Sequence, residues 1–227
     1  MLRAADAGDR ETVAKVAKKT VPESSAEIDA LVATMKAEEE AAKRAALASQ
    51  GFLEGWSGEG AVGGSYSTGN TEEIGASVSL ALGKRGLEWE HDLNAAFDYL
   101  STEGTTRRER IFAGYTGRRD LGGDWFFAFG LLSYERDRFS GIDRRFTESL
   151  GVGYRIADGK RFSWSVEGGP ALRQTVFSDG RSENDINLLG RTELAWKATE
   201  SIRLTETAGF VIGGGNSSYY SKSAATA

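Results

Sequence analysis

From residue 52 onward, apolar side chains recur at every second position over long stretches of the chain. Between Leu87 and Tyr99, apolar residues occupy one alternating set of positions, and residues such as Glu90 and Asp92 occupy the other. A period of two predicts β-strands with one apolar and one polar face. Several stretches reach roughly ten residues, which suits a tilted membrane crossing, whereas ordinary strands average about 5–6 residues. We therefore predict an all-β, antiparallel fold of about ten long strands.

Aromatic residues mark both ends of the predicted strands. If the strands run up and down, all five tryptophans fall at one end: Trp56, Trp89, Trp125, Trp164 and Trp196. The opposite end carries Tyr66, Tyr99, Tyr134, Phe146 and Phe177. Two aromatic bands with an aliphatic band between them are typical of side chains at two lipid–water interfaces. The pattern predicts an up-and-down transmembrane β-barrel with the tryptophans as an interfacial girdle.

The predicted connections between strands alternate in length. Tight turns are predicted at 83–86, 120–124, 157–160 and 198–201, and longer polar loops at 67–73, 101–108, 135–145 and 178–185. Longer loops on one side and short turns on the other are typical of outer-membrane barrels. If the N-terminus is periplasmic, the longer loops face the outside of the cell.

The polar faces of these strands carry charges of both signs. At mid-depth in lipid each would cost several kcal/mol, so we expect them to line the interior of the barrel. The lumen-lining candidates are Glu88, Glu90, Asp92, Asp98, Arg108, Arg110, Glu167, Arg173, Arg191 and Glu193. Mixed signs favour a salt-bridge network that fills a structural barrel, and a narrow aqueous channel stays open as the alternative.

Residues 1–50 differ from the rest of the chain because they are rich in Ala, Glu and Lys and contain no aromatic residue. Apolar residues with helical spacing predict an amphipathic helix, and these are Ile28, Leu31, Val32 and Met35. Ser24 and Glu27 have the spacing of a capping box, and Gly51 is expected to stop the helix. We predict a periplasmic helical segment over 1–50, acting as a contact site or as a plain appendage, before a barrel domain over 51–227.

Composition excludes several classes of function. The chain has no cysteine, which excludes disulfides and a Cys-ligated metal, and its net charge of −5 disfavours nucleic acid as a partner. No sequence motif indicates a cofactor or a metal site. The single histidine, His91, falls on the apolar face, whereas Ser77 and Ser79 on the neighbouring strand fall on the polar face. A serine hydrolase needs these groups within hydrogen-bond reach, so we predict that the protein is not an enzyme.

Short motifs add a family resemblance to this interpretation. They are Trp56–Gly60, Ser67–Thr71, Tyr134–Phe139, Gly151–Arg155 and Glu167–Pro170. In this combination the chain from about 52 to 227 resembles DUF481, a Gram-negative outer-membrane family often labelled salt-induced outer membrane protein. The resemblance implies a structural or narrow-pore, porin-like barrel of the stressed cell envelope, with outer-membrane lipid and the barrel-assembly machinery as partners. It supplies no catalytic residues, and the oligomeric state stays open.

Both ends of the chain depart from what an exported barrel needs. Met1–Asp6 lacks the apolar core of a secretory signal, so we expect the signal to be missing from this chain. The chain stops at Ala225–Ala227, partway along a tenth strand, whereas the barrels it resembles end on an aromatic residue. We expect about two strands to be missing at the C-terminus. The alternative functions are a soluble or lumen-binding barrel for a small ligand and, less favoured, a barrel lipid hydrolase.

Overall fold

A computed structural model describes residues 10–123, 125–213 and 218–226. The chain divides into two compact units, Met1–Glu54 and Gly55–Ala227, which are described separately. The first unit contains helix α1 (Arg10–Thr20), a 3-10 turn (Pro22–Ser24) and helix α2 (Ser25–Ser49). Residues 1–9 of the predicted helical segment lie outside the described residues.

The two helices bury a small apolar contact in which Ala14 and Met35 are the buried side chains. Met35 is the last residue of the predicted stripe, which agrees with the helical spacing. Ser24 makes no side-chain cap hydrogen bond, so the predicted capping box does not form. Ser24 instead closes the 3-10 turn, and α2 ends at Ser49, two residues before Gly51. Within the described part of the chain, no helix combines the length and the apolar character required to cross a bilayer.

The second unit is one antiparallel sheet in which every strand pairs with its neighbours in the chain, in the order β1 to β10. Its strands are β1 (Trp56–Ser67), β2 (Glu73–Arg85), β3 (Trp89–Thr102), β4 (Thr105–Asp120), β5 (Phe126–Asp137), β6 (Ile142–Asp158), β7 (Phe162–Phe177), β8 (Ser182–Lys197), β9 (Arg203–Ile212) and β10 (Ser218–Thr226). The predicted all-β, up-and-down antiparallel fold of about ten strands with a helical N-terminal segment is therefore confirmed.

The predicted difference in loop length between the two ends of the sheet is wrong. Connections 86–88, 121–125, 159–161 and 198–202 lie at the end with the tryptophans, called the tryptophan end below. Connections 68–72, 103–104, 138–141 and 178–181 lie at the opposite, tyrosine end and are equally short. Polar residues there suggested loops, but they continue the strands. Glu103 and Gly104 make a two-residue hairpin turn, with φ of 52° and 67°.

The sheet is strongly curled. Arg118 on β4 reaches Glu193 on β8, with 3.3 Å between Nη2 and Oε1. Strands four positions apart in a flat sheet would be about 19 Å apart, because neighbouring strands are spaced by about 4.8 Å. The concave side, which carries Arg118, is called the inner face, and the convex side is called the outer face. Among the described residues no hydrogen-bonded ladder joins β1 to β10, so the sheet is curled but not closed.

Candidate functional site on the inner face

Arg118 is the centre of a charged cluster near the tryptophan end of the inner face. Its Nε lies 2.8 Å from Glu167 Oε2 on β7, and its Nη1 lies 2.9 Å from Asp92 Oδ2 on β3. The side chains of Arg118 and Glu167 are only 7% and 4% exposed. One guanidinium therefore joins carboxylates from β3, β7 and β8, and its planar set of donors suits such multiple contacts.

A second arginine shares two of these carboxylates. Arg191 on β8 has its Nε 3.3 Å from Glu167 Oε1 and also pairs with Glu193. Glu167 thus lies between two guanidinium groups. Buried charges are tolerated when they are paired in this manner, and removing one partner leaves the others uncompensated. These contacts make the cluster a cross-link between strands that are distant within the sheet.

The cluster continues toward the turns of the tryptophan end through Arg155 on β6. Its Nη1 lies 2.7 Å from Asp120 Oδ1 on β4, and its Nη2 lies 3.3 Å from Glu90 Oε1 on β3. Phe127, which is 1% exposed, packs beneath both guanidinium groups. The ring centroid is 5.8 Å from Cζ of Arg118 and 5.0 Å from Cζ of Arg155. The buried ring supports the cations from below through its π-face.

A smaller charged cluster lies on the inner face toward the tyrosine end. Glu135 on β5 bridges Arg110 and Arg145, with distances of 3.1 Å and 3.4 Å to their terminal nitrogens. Arg145 Nε also donates to Thr175 Oγ1 at 3.2 Å. Arg173 is buried, and its Nη2 donates to Ser218 Oγ on β10 at 3.2 Å. This second cluster ties β4, β5 and β6 to β7, and its arginine on β7 reaches β10.

An apolar layer separates the two charged clusters on the inner face. It consists of buried side chains from β5, β7, β8 and β9: Phe127, Phe129, Ala171, Leu189 and Val211, with Leu131 packed against them. Apolar side chains in this position fill space and exclude water. The concave face is therefore layered, with charges, then hydrocarbon, then charges along the strands.

An open cavity of about 570 Å³ lies against the cluster at the tryptophan end. Residues of the network, including Arg118, Arg155 and Glu193, form part of its lining. A polar cavity of this size is large enough for a small solute. Among the described residues no group of three or more His, Cys, Asp or Glu side chains is placed to hold a metal ion.

The structure places the predicted lumen-lining residues as follows. Five of the ten belong to the cluster at the tryptophan end: Glu90, Asp92, Glu167, Arg191 and Glu193. Arg110 and Arg173 belong to the second cluster, and the register places Asp98 and Arg108 on the inner face beside them. Glu88 is different: it lies in the turn 86–88, and its carboxylate pairs at 3.4 Å with Arg119, the partner of Trp89 in the ladder. The turn interrupts the alternation that had predicted its direction.

Sequence reasoning missed several central residues of the site, including Arg118, Asp120 and Arg155. The predicted tight turn began at residue 120, and the polar residues that precede it were not assigned to the inner face. Continuing the alternation to Asp120 places Thr116 and Arg118 on the same face as Arg110. The alternation that identifies these residues was therefore present in the sequence, but this stretch is so polar that it resembled a loop.

The predicted tryptophan girdle lies at one end of the sheet. Trp89 and Trp196 are 45% and 49% exposed, and Trp125 and Trp164 are also exposed. Trp56 opens β1 at the same end. His91 lies within this aromatic band: its ring stacks on Trp89 with an interplanar angle of 4°, and its Nδ1 lies 2.7 Å from Tyr115 Oη.

The predicted separation of His91 from the serines of the second strand agrees with the register. Ser77 and Ser79 pair across from Asp98 and Ala96, whereas His91 pairs with Lys84 on the other face. The absence of enzymatic activity itself stays a prediction.

An antiparallel meander with charges on its concave side and large apolar side chains on its convex side defines a β-protein of inverted polarity. Residues 60–227, most of the chain, match the family described as "Protein of unknown function, DUF481". The chain therefore belongs to the DUF481 family, and the predicted resemblance is confirmed.

A curated relative is similar over part of the chain. It is the "Uncharacterized protein YdiY" of Escherichia coli (strain K12), which is 25% identical over 139 residues, or 61% of this chain and 55% of the relative. The matched region therefore spans about half the length of that relative. No solved structure matches the chain.

Proposed function

We propose that this protein is an outer-membrane β-barrel protein of the cell envelope, structural or narrow-pore, without catalytic activity. The inverted polarity of the sheet carries the proposal. Val62, Leu150 and Ile186 on the outer face are 84%, 73% and 79% exposed, whereas Arg118 and Glu167 on the inner face are nearly fully buried. In water this arrangement exposes hydrocarbon and buries charge, and both are unfavourable. In a bilayer the same outer face meets lipid tails.

The two aromatic bands support lipid as the partner of the outer face. Trp89, Trp164 and Trp196 project at the tryptophan end, and Tyr134 packs against Phe146 at the tyrosine end with ring centroids 5.1 Å apart. Amphipathic rings at two levels suit the two interfaces of a membrane. The proposal assigns the tryptophan end and the N-terminal helical segment to the periplasm, and assigns insertion to the barrel-assembly machinery.

The layered inner face supports a filled interior more than an open channel. Salt-bridged arginines and the apolar layer of Phe129, Ala171 and Leu189 occupy the concave side of β4 to β9. By contrast, β1 and β2 present mostly small residues there. Any aqueous path would be narrow and would follow these two strands. Single-channel recordings on the full-length protein are expected to show small conductance or none.

Cell fractionation and gel mobility of the full-length protein test the proposal. We expect the protein in the outer-membrane fraction, and we expect a shift in gel mobility when the folded form is heated. Long antiparallel ladders keep a folded barrel compact in detergent until heat unfolds it. Recovery in the cytosol, or folding to a monodisperse species without detergent, would contradict the proposal.

The inner cavity favours one alternative, a soluble barrel that binds a small polar ligand. The volume of about 570 Å³ and the polar lining support it. This alternative requires stability in water in spite of the exposed Leu150 and Ile186. Monodispersity without detergent therefore separates the two proposals.

The salt-stress role is part of the proposal and rests on the family resemblance. A deletion strain is expected to grow normally in ordinary medium and to lose fitness when the salt concentration is raised. Equal growth of the deletion and parent strains across the salt series would contradict that role and would leave the proposed location untouched.

A further inference from the structure

The outer face carries a groove of about 810 Å³ that crosses the sheet from β3 to β8. Its lining includes Gly117 and Gly130, which have no side chain, and the compact ring of Pro170, and these positions leave a depression among taller neighbours. Leu132 and Leu172 flank this line of small residues. The groove is apolar along almost its whole length and is open to the outside.

The course of the groove runs from one aromatic band toward the other. At β4 its lining includes Arg119, the last residue but one of that strand at the tryptophan end. At β8 its lining includes Ile186, close to Ser182, where that strand begins at the tyrosine end. Strands of a curled sheet are staggered, so a line that follows the ladder perpendicular to the strands climbs from one end to the other. An elongated apolar molecule lying in the groove would span the region between the two bands.

The tryptophan end of the groove offers a cation beside an indole ring. Cζ of Arg119 lies 5.6 Å from the Trp89 ring centroid, and the Arg119 side chain is 54% exposed. Its carboxylate neighbour is Glu88, 3.4 Å away and also exposed. An exposed ion pair of this kind is weak, so the guanidinium can also donate two hydrogen bonds to the oxygens of a phosphate group. Cation and indole together suit a lipid headgroup at an interface.

We propose that the groove is a binding site for one glycerophospholipid, with an acyl chain along Gly130 and Pro170 and the phosphate at Arg119. The inference rests on the proposed membrane location, because only there does phospholipid reach the outer face. A membrane location by itself requires only a fluid layer of lipid around the outer face. The groove site adds one lipid molecule bound at a defined position.

The groove lining contains one carboxylate, that of Glu148. The register places Glu148 between Leu132 and Leu172, two residues from Phe146 in the aromatic band of the tyrosine end. A flexible side chain in this position can extend toward the interface and leave its stem beside hydrocarbon. Replacing Glu148 by leucine makes the groove wall continuous hydrocarbon. We therefore expect that variant to retain the lipid more tightly.

Native mass spectrometry of the full-length protein, purified from membranes in mild detergent, tests the site. The wild type is expected to retain one phospholipid, and retained phosphatidylglycerol should exchange more slowly than phosphatidylethanolamine because its charge is not neutralised by an amine. Gly130→Leu fills the groove floor and should abolish retention. Gly64→Leu is the matched control, because Gly64 is an exposed glycine of β1 outside the groove, where an added Cβ would make only an ordinary contact, 3.7 Å from the Gly75 carbonyl oxygen. Arg119→Gln should weaken retention about tenfold through the lost charged hydrogen bonds.

The outcomes separate this inference from the proposed function. A protein that fractionates with the outer membrane and shows heat-modifiable mobility, yet retains equal lipid in Gly130→Leu and Gly64→Leu, contradicts the groove site alone. Absence from the membrane contradicts both proposals. If Gly130→Leu does not fold, Ala128→Leu fills the same groove from the neighbouring position on β5. Retention of a free fatty acid or a protein in place of phospholipid would overturn the assignment of the ligand.

Discussion

Replacing Glu167 by glutamine tests whether the inner cluster holds the curled sheet together. The carboxylate is 4% exposed and contacts Arg118 at 2.8 Å and Arg191 at 3.3 Å. Glutamine has nearly the same shape, so packing is conserved while the charge is lost. Two guanidinium groups then lose their shared buried partner, and breaking a buried ion pair costs about 3–5 kcal/mol. Arg118 retains its ion pair with Asp92 in this variant, so the expected loss of unfolding free energy lies near the lower end of this range.

Glu88→Gln is a matched control for this measurement. Its pair with Arg119 is 3.4 Å long, and the two side chains are 63% and 54% exposed. Exposed pairs contribute about 0–1 kcal/mol. The free energy of unfolding would be measured by urea titration of the detergent-folded protein, followed by tryptophan fluorescence and by the shift in gel mobility. If the two variants lose the same free energy within about 0.5 kcal/mol, the cluster is not a structural cross-link and the reasoning fails.

Three further substitutions test the packing of the sheet by the same titration. Phe127→Ala removes a ring that is 1% exposed and should cost about 3–5 kcal/mol, and a smaller loss than about 1 kcal/mol would show that the site collapses freely. Gly151→Ala would place a methyl group 2.3 Å from the Gly168 carbonyl oxygen and should cost about 1–3 kcal/mol, whereas Gly64→Ala, with its nearest atom at 3.7 Å, should be close to neutral. Gly104→Ala forces a side chain into φ of 67° and should cost about 1 kcal/mol; an unchanged midpoint would contradict the turn geometry.

The strands and their pairing could be predicted because period-two alternation is a local property of the sequence. The alternation between Leu87 and Tyr99 predicted one of these strands, and β3 is found at Trp89–Thr102. The positions of the loops were predicted less accurately than the strands. Strand ends outside the apolar band are as polar as loops. Thr105–Arg108 looked like a connection, yet three of these four residues are paired in the ladder with β3. Hydrogen bonding between backbones, which sequence composition does not report, decides where such a strand ends.

The sequence predicted that the inner face carries a charged site, but it identified only some of the residues of that site. Alternation assigned Glu167, Arg191 and Glu193 to the inner face, where they meet. It could not show that Arg118 is their common partner, because that contact joins strands four positions apart through the curl of the sheet. Curvature depends on twist and packing summed over many residues, and so the partners of a long-range ion pair cannot be read from one strand.

The strictly sequential strand order also has a consequence for how the protein folds. Each strand pairs with the one made just before it, so every step closes a connection of only a few residues and the entropic cost of each step is small. The ion pairs between β4 and β8 form only after several hairpins have assembled and bent. Until then the growing sheet has an open edge, which can pair with other chains. The nascent chain is therefore most vulnerable to aggregation late in its assembly, when its unpaired edge borders the largest apolar surface.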